Sequence, residues 1–241
     1  FVVLVAAKDR AGLEANMALQ QGVGVRTEHL SPEALKEIMP GVEATDSVAA
    51  AYEPESGYAD PYSTVNAYAR AARRHGVSLY LNTEVTDVRF QGDKVVGVDT
   101  PNKKLNAPVV LNTAGAWGAR VARMAGIKAP ISACRVQVEF FRRPRGHEAP
   151  HPVVADFIHS TYFRPETGDL TLVGLVDPSE ADAVVDPDHY NEQLDSDFVL
   201  DAGERLVRRY PAMAHSQSTG GYTSHYAVTP DWHPIVDEAP S

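Results

Sequence analysis

The sequence predicts an α+β fold: a largely antiparallel sheet with flanking helices, joined to an incomplete α/β insert. Two stretches carry that reading. Val136–Phe141, Val153–Ile158, Thr161–Arg164 and Leu170–Val176 are short apolar runs separated by Pro- and Gly-containing turns, the pattern of an antiparallel sheet. Upstream of them, a helix opening at Asp60-Pro61 leads through Gly76 into strand-like Val77–Leu81, a helix-to-strand unit of an α/β layer.

Taken in order, Phe1–Ala7 is short and β-branched and stops at Lys8-Asp9-Arg10, which reads as a buried strand. Leu13–Gln21 is helix-like, with Gly22 as its stop, and Val23–Leu30 reads as a short strand. Ser31-Pro32-Glu33 starts a helix, because a Ser N-cap satisfies an orphan amide and Pro in the first turn forfeits none that matters. That helix carries Leu35, Ile38 and Met39 to Pro40-Gly41. In the helix from Asp60 to about Arg74, Tyr62, Val65, Tyr68, Ala69 and Ala72 recur at i, i+3 and i+4, and Arg73-Arg74-His75 suits the negative end of the helix dipole.

Val85–Phe90 and Lys94–Thr100 alternate around Gln91-Gly92-Asp93, a hairpin signal. Val109-Val110-Leu111 reads as a buried apolar run leading into Asn112-Thr113-Ala114-Gly115-Ala116-Trp117, with a helix from Gly118 to Ala125. In the second half, Asp177–His189 is a loop with several Asp and Pro residues and Asp197–Tyr210 is a helix. Gly220–Val228 is a strand that turns at Thr229-Pro230-Asp231.

The 241 residues are 44% hydrophobic and 22% charged, an ordinary globular balance. A net charge of −10 argues against a nucleic-acid partner, leaving only a local basic patch as an exception. One cysteine excludes an internal disulfide framework and a Cys-rich zinc site, and leans towards a cytoplasmic location. The apolar start is far short of the roughly 20 residues of a membrane span. Both ends of the chain look cut, so a piece of a longer protein is expected.

Few residues offer chemistry by spacing alone. Gly22-Val23-Gly24 begins like GxGxxG, but Thr27 stands where the third glycine belongs and no strand precedes it. Ala114-Gly115-Ala116-Trp117-Gly118 ends an apolar run and opens a helix. It is either a place of close ligand approach or a plain Gly-punctuated turn. His147 and His151 are four apart, but Pro150 and Pro152 argue against a helical metal pair, and no metal site is expected. His225 and His233 flank a turn, as substrate contacts or as a polar edge. No sequence neighbour of Cys134 would obviously lower its pKa, so it reads as core or surface filler. No Gly-x-Ser-x-Gly elbow is present.

Several segments together resemble the D-amino-acid-oxidase-type FAD-dependent oxidoreductases, especially the sarcosine oxidase, dimethylglycine dehydrogenase and glycine oxidase branches. Tyr52-Glu53-Pro54-Glu55-Ser56-Gly57-Tyr58-Ala59-Asp60-Pro61, with the following helix and Gly76-Val77, resembles the family's P-x-x-G-x-x-x-P lead into a helix. Thr83–Val88 is similar to the strand whose backbone meets the adenine of FAD. Val110–Trp117 is similar to the VV-x-A-x-G-A-W turn beside the cofactor. Tyr162-Phe163-Arg164-Pro165-Glu166 and Thr229-Pro230-Asp231-x-x-Pro234-Ile235 complete the series.

The family's GxGxxG belongs upstream of Phe1 and its last glycine-rich flavin contact after Ser241. The resemblance therefore implies a central portion: substrate domain 1–56, FAD-domain insert 57–130, substrate domain 131–229 and FAD-domain re-entry 230–241. It implies oxidation of an amine C–N bond, with the difficult step carried by the flavin and the protein positioning a small amine or amino acid such as sarcosine, glycine or dimethylglycine. The electron acceptor is undefined, and no catalytic residue is assigned. By the same resemblance Tyr162, Arg164, Tyr226 and His225 are candidate substrate contacts, with Arg164 either a carboxylate ligand or a surface strand arginine. Val85, Ala114, Gly115 and Trp117 are the candidate cofactor contacts. Ser224 stands where monomeric sarcosine oxidases attach flavin through cysteine, so that link is not expected. The chain alone is expected neither to hold FAD nor to be active. The competing expectation is a non-catalytic subunit or ligand-binding module on the same sheet.

Overall fold

The strands are Val2–Val5 (β1), Glu28–Leu30 (β2), Ala49–Tyr52 (β3), Asp87–Gln91 (β4), Lys94–Asp99 (β5), Lys104–Asn106 (β6), Ser132–Arg142 (β7), Val154–Asp156 (β8), Thr161–Glu166 (β9), Leu170–Leu175 (β10) and Gln217–Val228 (β11). The helices are Arg10–Gly22 (α1), Pro32–Ile38 (α2), Pro61–Arg74 (α3), Gly118–Met124 (α4) and Ser196–Arg209 (α5). The structure is a computed structural model that describes residues 1–46, 49–177, 179 and 182–239. It divides into two units: Phe1–Gly57 with Arg135–Ala183 and Asn191–Ser224, and Tyr58–Cys134 with Val184–Tyr190 and His225–Ser241.

The first unit is built on an eight-stranded sheet ordered β11-β7-β10-β9-β8-β1-β3-β2. β1 and β8 run parallel, whereas the pairs β1–β3, β2–β3, β7–β10, β8–β9 and β9–β10 are antiparallel. Alternation along each strand gives the sheet two faces. Val2, Leu4, Val154, Phe163 and Val173 meet Leu35 and Met39 from α2 and its end, and Phe198 and Leu206 of α5, in the main core. Val3 and Val5 point the other way and join Ala49 and Ala51 against Leu13 and Met17 of α1.

α2 begins as its sequence requires, with the Ser31 hydroxyl accepting the Ala34 N–H at 3.2 Å. The strand expected over Val23–Leu30 is confined to Glu28–Leu30, because the chain first turns at Gly24 (φ +89°).

α5 buries Phe198, Ala202, Leu206 and Arg209, four positions on one helical stripe, and the last is an arginine with 0% exposure. Its charge is met by two carboxylates. Nε donates to Asp156 Oδ2 at 2.7 Å and Nη2 to Asp156 Oδ1 at 3.2 Å, while Nη1 and Nη2 reach Asp46 at 2.8 and 3.2 Å. Nη1 also donates to the Glu43 carbonyl. His159 Nδ1 lies 2.8 Å from Asp156 Oδ2 and its Nε2 3.3 Å from Asp46 Oδ2, closing a network around the end of α5.

In the second unit, α3 is capped by Asp60, whose Oδ1 accepts the Ser63 N–H at 2.6 Å, and ends at Gly76 with φ +79°. β4, β5 and β6 form a three-stranded antiparallel sheet, with Gly92 at φ +59° in the expected hairpin turn.

One expected strand and one expected buried apolar run do not form here. Val77–Leu81 and Val109–Leu111 carry no ladder among the described residues, and Leu81, Val109 and Leu111 are 74%, 77% and 83% exposed. A β-branched segment becomes a strand only when its N–H and C=O groups meet a partner edge. Tyr62, Val65 and Tyr68 of α3 are likewise exposed.

In the expected loop 177–189, Pro178, Glu180 and Ala181 lie outside the described residues, as do Pro240 and Ser241. Val184–Tyr190 folds onto the second unit, where the Val185 N–H donates to the Ala133 carbonyl at 2.8 Å. No helix among the described residues is long and apolar enough to cross a membrane.

Candidate functional site

The Ala114–Gly118 turn is fastened by the side chain before it. Asn112 Nδ2 donates to the Gly118 carbonyl at 2.9 Å, and its Oδ1 accepts the Ala114 N–H at 3.2 Å. Gly115 holds φ +53°, and no atom lies within 4 Å of where a Cβ would stand. The backbone there is open to a neighbour.

This turn forms one wall of a cleft of about 440 Å³, whose other side is Ala227, Val228, Thr229, Trp232 and His233. Thr229 Oγ1 sits 3.0 Å from Asp231 Oδ1 and 2.7 Å from the His233 carbonyl, which locks the Thr-Pro-Asp turn. The His233 N–H, with the Thr229 hydroxyl second, holds the Asp231 carboxyl below the usual carboxylate range. The volume falls within the range of small-molecule sites, roughly 300–1,000 Å³.

Behind the turn, Trp117 Nε1 donates to Asp188 Oδ1 at 2.8 Å, and Arg120 pairs with both Asp186 and Asp188. The hydrogen bonds from Arg120 and then Trp117 keep Asp188 ionised below its ordinary range, and those carboxylates in turn raise the Arg120 pKa. His225 lies edge-on to Trp117 at 5.1 Å and stacks with Tyr190 at 5.4 Å. Both of its ring nitrogens are buried without a hydrogen-bond partner among the described residues.

Of the residues singled out from the sequence, Ala114 and Gly115 line the cleft, and Trp117 meets His225. Tyr226 is exposed on β11 just before the lining residues Ala227 and Val228. Val85 is half-buried ahead of β4, outside any strand, and does not line the cleft.

Tyr162 and Arg164 belong to the first unit. They alternate with Thr161, Phe163 and Pro165, which are buried, so both stand on the sheet face opposite the main core. The Tyr162 ring lies across Gly174 of the paired strand, where a Cβ would come within 2.5 Å of it. Arg164 Nη1 pairs with Glu166 Oε2 at 2.7 Å on the same face, and the Phe140 ring in register two strands away contacts Tyr222 at 6.0 Å.

Asn112, Asp188 and Tyr190 were not singled out by sequence reasoning. An Asn two residues before an Ala-Gly turn was the available signal for the first, whereas Asp188 reaches Trp117 across 71 positions and left none. His151 bonds Thr171 Oγ1 at 2.9 Å and the Pro152 carbonyl, and its pKa is lowered to about 4 mainly by burial, which keeps it neutral. Among the described residues no group of three or more His, Cys, Asp and Glu converges as a metal site.

Known proteins resemble this chain in sequence and in fold. Human mitochondrial sarcosine dehydrogenase is 30% identical over 231 residues, which are 93% of this chain and 25% of that protein. Human mitochondrial dimethylglycine dehydrogenase is 26% identical over 220 residues, 86% of this chain and 25% of that protein. The chain thus spans about a quarter of either relative. In fold, it superposes with a TM-score of 0.86 on L-proline dehydrogenase from P. horikoshii, at 24% identity, covering 99% of this chain and 63% of that one. Glycine oxidase from Geobacillus kaustophilus gives a TM-score of 0.76 at 21% identity, covering 99% and 61%. Residues 1–241 match the FAD dependent oxidoreductase family throughout, and the chain belongs to it.

Proposed function

We propose that the protein oxidises the C–N bond of a small secondary amine or amino acid of the sarcosine, dimethylglycine or glycine type. In this reading the first unit is its substrate-binding part and the second a portion of its FAD-binding part. The observation that carries the reading is the sheet face on which Tyr162 and Arg164 stand together, an aromatic wall beside a guanidinium. A guanidinium is suited to a carboxylate, and Glu166 orients it. The likeness to sarcosine and dimethylglycine dehydrogenases supports the same chemistry.

The residues of the second unit fit a part of FAD. Ala114 and Gly115 offer an open backbone surface, the Thr229 turn faces it across the cleft, and the Trp117–Asp188 clamp holds it in place. Bound FAD supplies the acceptor for the hydride equivalent that leaves the substrate carbon. The protein's own residues orient the amine and exclude water. The exposed apolar segments Val77–Leu81 and Val109–Leu111 support a larger nucleotide-binding sheet that pairs with them.

Anaerobic mixing of the FAD-loaded protein with sarcosine, dimethylglycine, glycine and L-proline tests the reading. The expected result is saturable bleaching of the flavin's visible absorbance, fastest with an N-methylated glycine. Arg164→Gln is expected to raise the half-saturating concentration about tenfold to a hundredfold, the loss of a charge-assisted bond, with FAD content unchanged. Saturable substrate binding without bleaching would favour the non-catalytic module, and no binding at all would remove the assignment of this face.

A further inference from the structure

A second cleft, of about 610 Å³, lies wholly within the first unit, where the chain leaving β7 passes the turn Pro211–His215. Arg142, Arg143, Arg145, His147, His215 and Gln217 line it, and among the described residues no carboxylate does. In a chain of net charge −10, such a concentration of basic side chains is local and specific.

The Arg143 side chain is only 3% exposed, and among the described residues its one ion-pair contact is a long one. Its Nε and Nη2 donate to the Glu148 carbonyl at 3.1 and 2.9 Å, and Nη1 to the Leu170 carbonyl at 2.5 Å. The nearest carboxylate oxygen, on the exposed Asp169, is 3.9 Å away. Neutral carbonyls satisfy its hydrogen bonds but leave its charge buried, which is costly unless an anion balances it.

Among the described residues the neighbouring basic side chains make no ion pair. Arg142 Nη1 donates to the Gly168 carbonyl at 3.0 Å, and His147 Nδ1 lies 3.3 Å from the Tyr210 hydroxyl. Arg145 and His215 have no ion-pair partner among the described residues. The nearby Glu148 carboxylate is turned onto the Gly146 N–H at 2.8 Å.

We propose that this cleft binds a phosphate-bearing small molecule. Two arginine forks, two imidazoles and the Gln217 amide offer more donors and more charge than a single carboxylate can use. A phosphate monoester presents three acceptor oxygens and about −1.5 to −2 charges. The volume is that of a small-molecule site rather than of a bare ion, within roughly 300–1,000 Å³. None of the lining residues belongs to the first cleft, and the inference does not rest on the oxidase reading.

Calorimetric titration with pyrophosphate tests it, at constant ionic strength and both with and without added FAD, so that any phosphate contact of the first cleft is told apart from this one. One saturable site of submillimolar affinity is expected. Arg145→Gln and His215→Gln, both at exposed positions, should each weaken it about fivefold to tenfold, and Arg142→Gln with Arg145→Gln at least about thirtyfold. Inorganic phosphate should compete, and citrate, a phosphate-free anion of similar charge, should bind at least about tenfold more weakly. Absence of saturation, or binding that survives the double substitution, overturns the site. Citrate binding as tightly as pyrophosphate overturns the phosphate class. An unfolding midpoint unchanged in the variants, measured without ligand, assigns the loss to the site and not to the fold.

Discussion

Arg209→Met is expected to destabilise the first unit by about 3–5 kcal/mol, the cost of removing one partner from a buried ion network. Methionine fills a similar length of the α5 stripe, so the core around Leu206 keeps its packing. What is lost is, among the described residues, the only always-charged cation within reach of Asp156, which has 0% exposure. Burial works against that carboxylate, but the hydrogen bonds and charge of Arg209, with help from His159, outweigh it and hold its pKa below the ordinary value. Arg209 is shifted upward in the same way, against its own burial, by Asp156 and Asp46.

Asp156 is a depressed acid, so its contribution is complete above the unfolded value of about 3.9 and fades as pH falls through the lower folded value. Urea unfolding of wild type should therefore lose stability below about pH 4, and Asp156→Asn should flatten that limb. Asp156→Leu combined with Arg209→Met should recover part of the loss, since it removes both buried charges together. A cost for Arg209→Met below about 1 kcal/mol, the level of an exposed pair, would refute the network.

The network shows where the sequence is readable and where it is not. Phe198, Leu206 and the helix around them follow from periodicity, and Arg209 falls on the same stripe three residues after Leu206. Its burial was implied by that phase, but its partners lie 53 and 163 positions away, and no local pattern announces them. The caps at Ser31 and Asp60 were legible because each is a contact over three residues.

The opposite failure occurs at Val77–Leu81 and Val109–Leu111. Their composition is that of strands, but a strand is a pairing, and the described residues give them no edge. β6 was missed for the complementary reason: Lys104-Leu105-Asn106 has no strand-like composition, and only its register with β5 makes it a strand. In the site, the Ala114–Trp117 turn was visible as a sequence of small residues. The loop that clamps it through Asp188 was not, because a tryptophan and an aspartate 71 residues apart carry no mutual signal.

Gly97→Ala is expected to cost the second unit about 2–6 kcal/mol, from two penalties of about 1–3 kcal/mol each. The first is backbone strain, because Gly97 sits at φ +144°, a conformation that L side chains rarely adopt. The second is space. A Cβ there would stand 1.9 Å from the Leu105 carbonyl oxygen and 2.8 Å from Arg89 Nη2. β5 is the middle strand, bound to β4 on one side and β6 on the other, so it cannot swing aside without breaking a ladder. Arg89 pairs with Gly97 in register and lies across it to reach the Leu105 carbonyl at 3.1 Å, Asn106 Oδ1 at 2.6 Å and Asp99 at 2.7 Å. The register shift next to Arg89 and Phe90 leaves Val96 as the extra residue of a bulge, which tilts the strand and admits the guanidinium.

Hydrogen exchange of the β4–β6 amides gives the readout, with Gly92→Ala as the control. Gly92 also has positive φ, but nothing lies within 4 Å of its absent Cβ, so its substitution should cost only about 1 kcal/mol of strain. Truncating Arg89 in the Gly97→Ala background should restore little, because the tighter clash is with backbone and not with a side chain that can move. If Gly97→Ala is as mild as Gly92→Ala, β6 does not pair with β5 at this register, and the close approach that requires a glycine is absent.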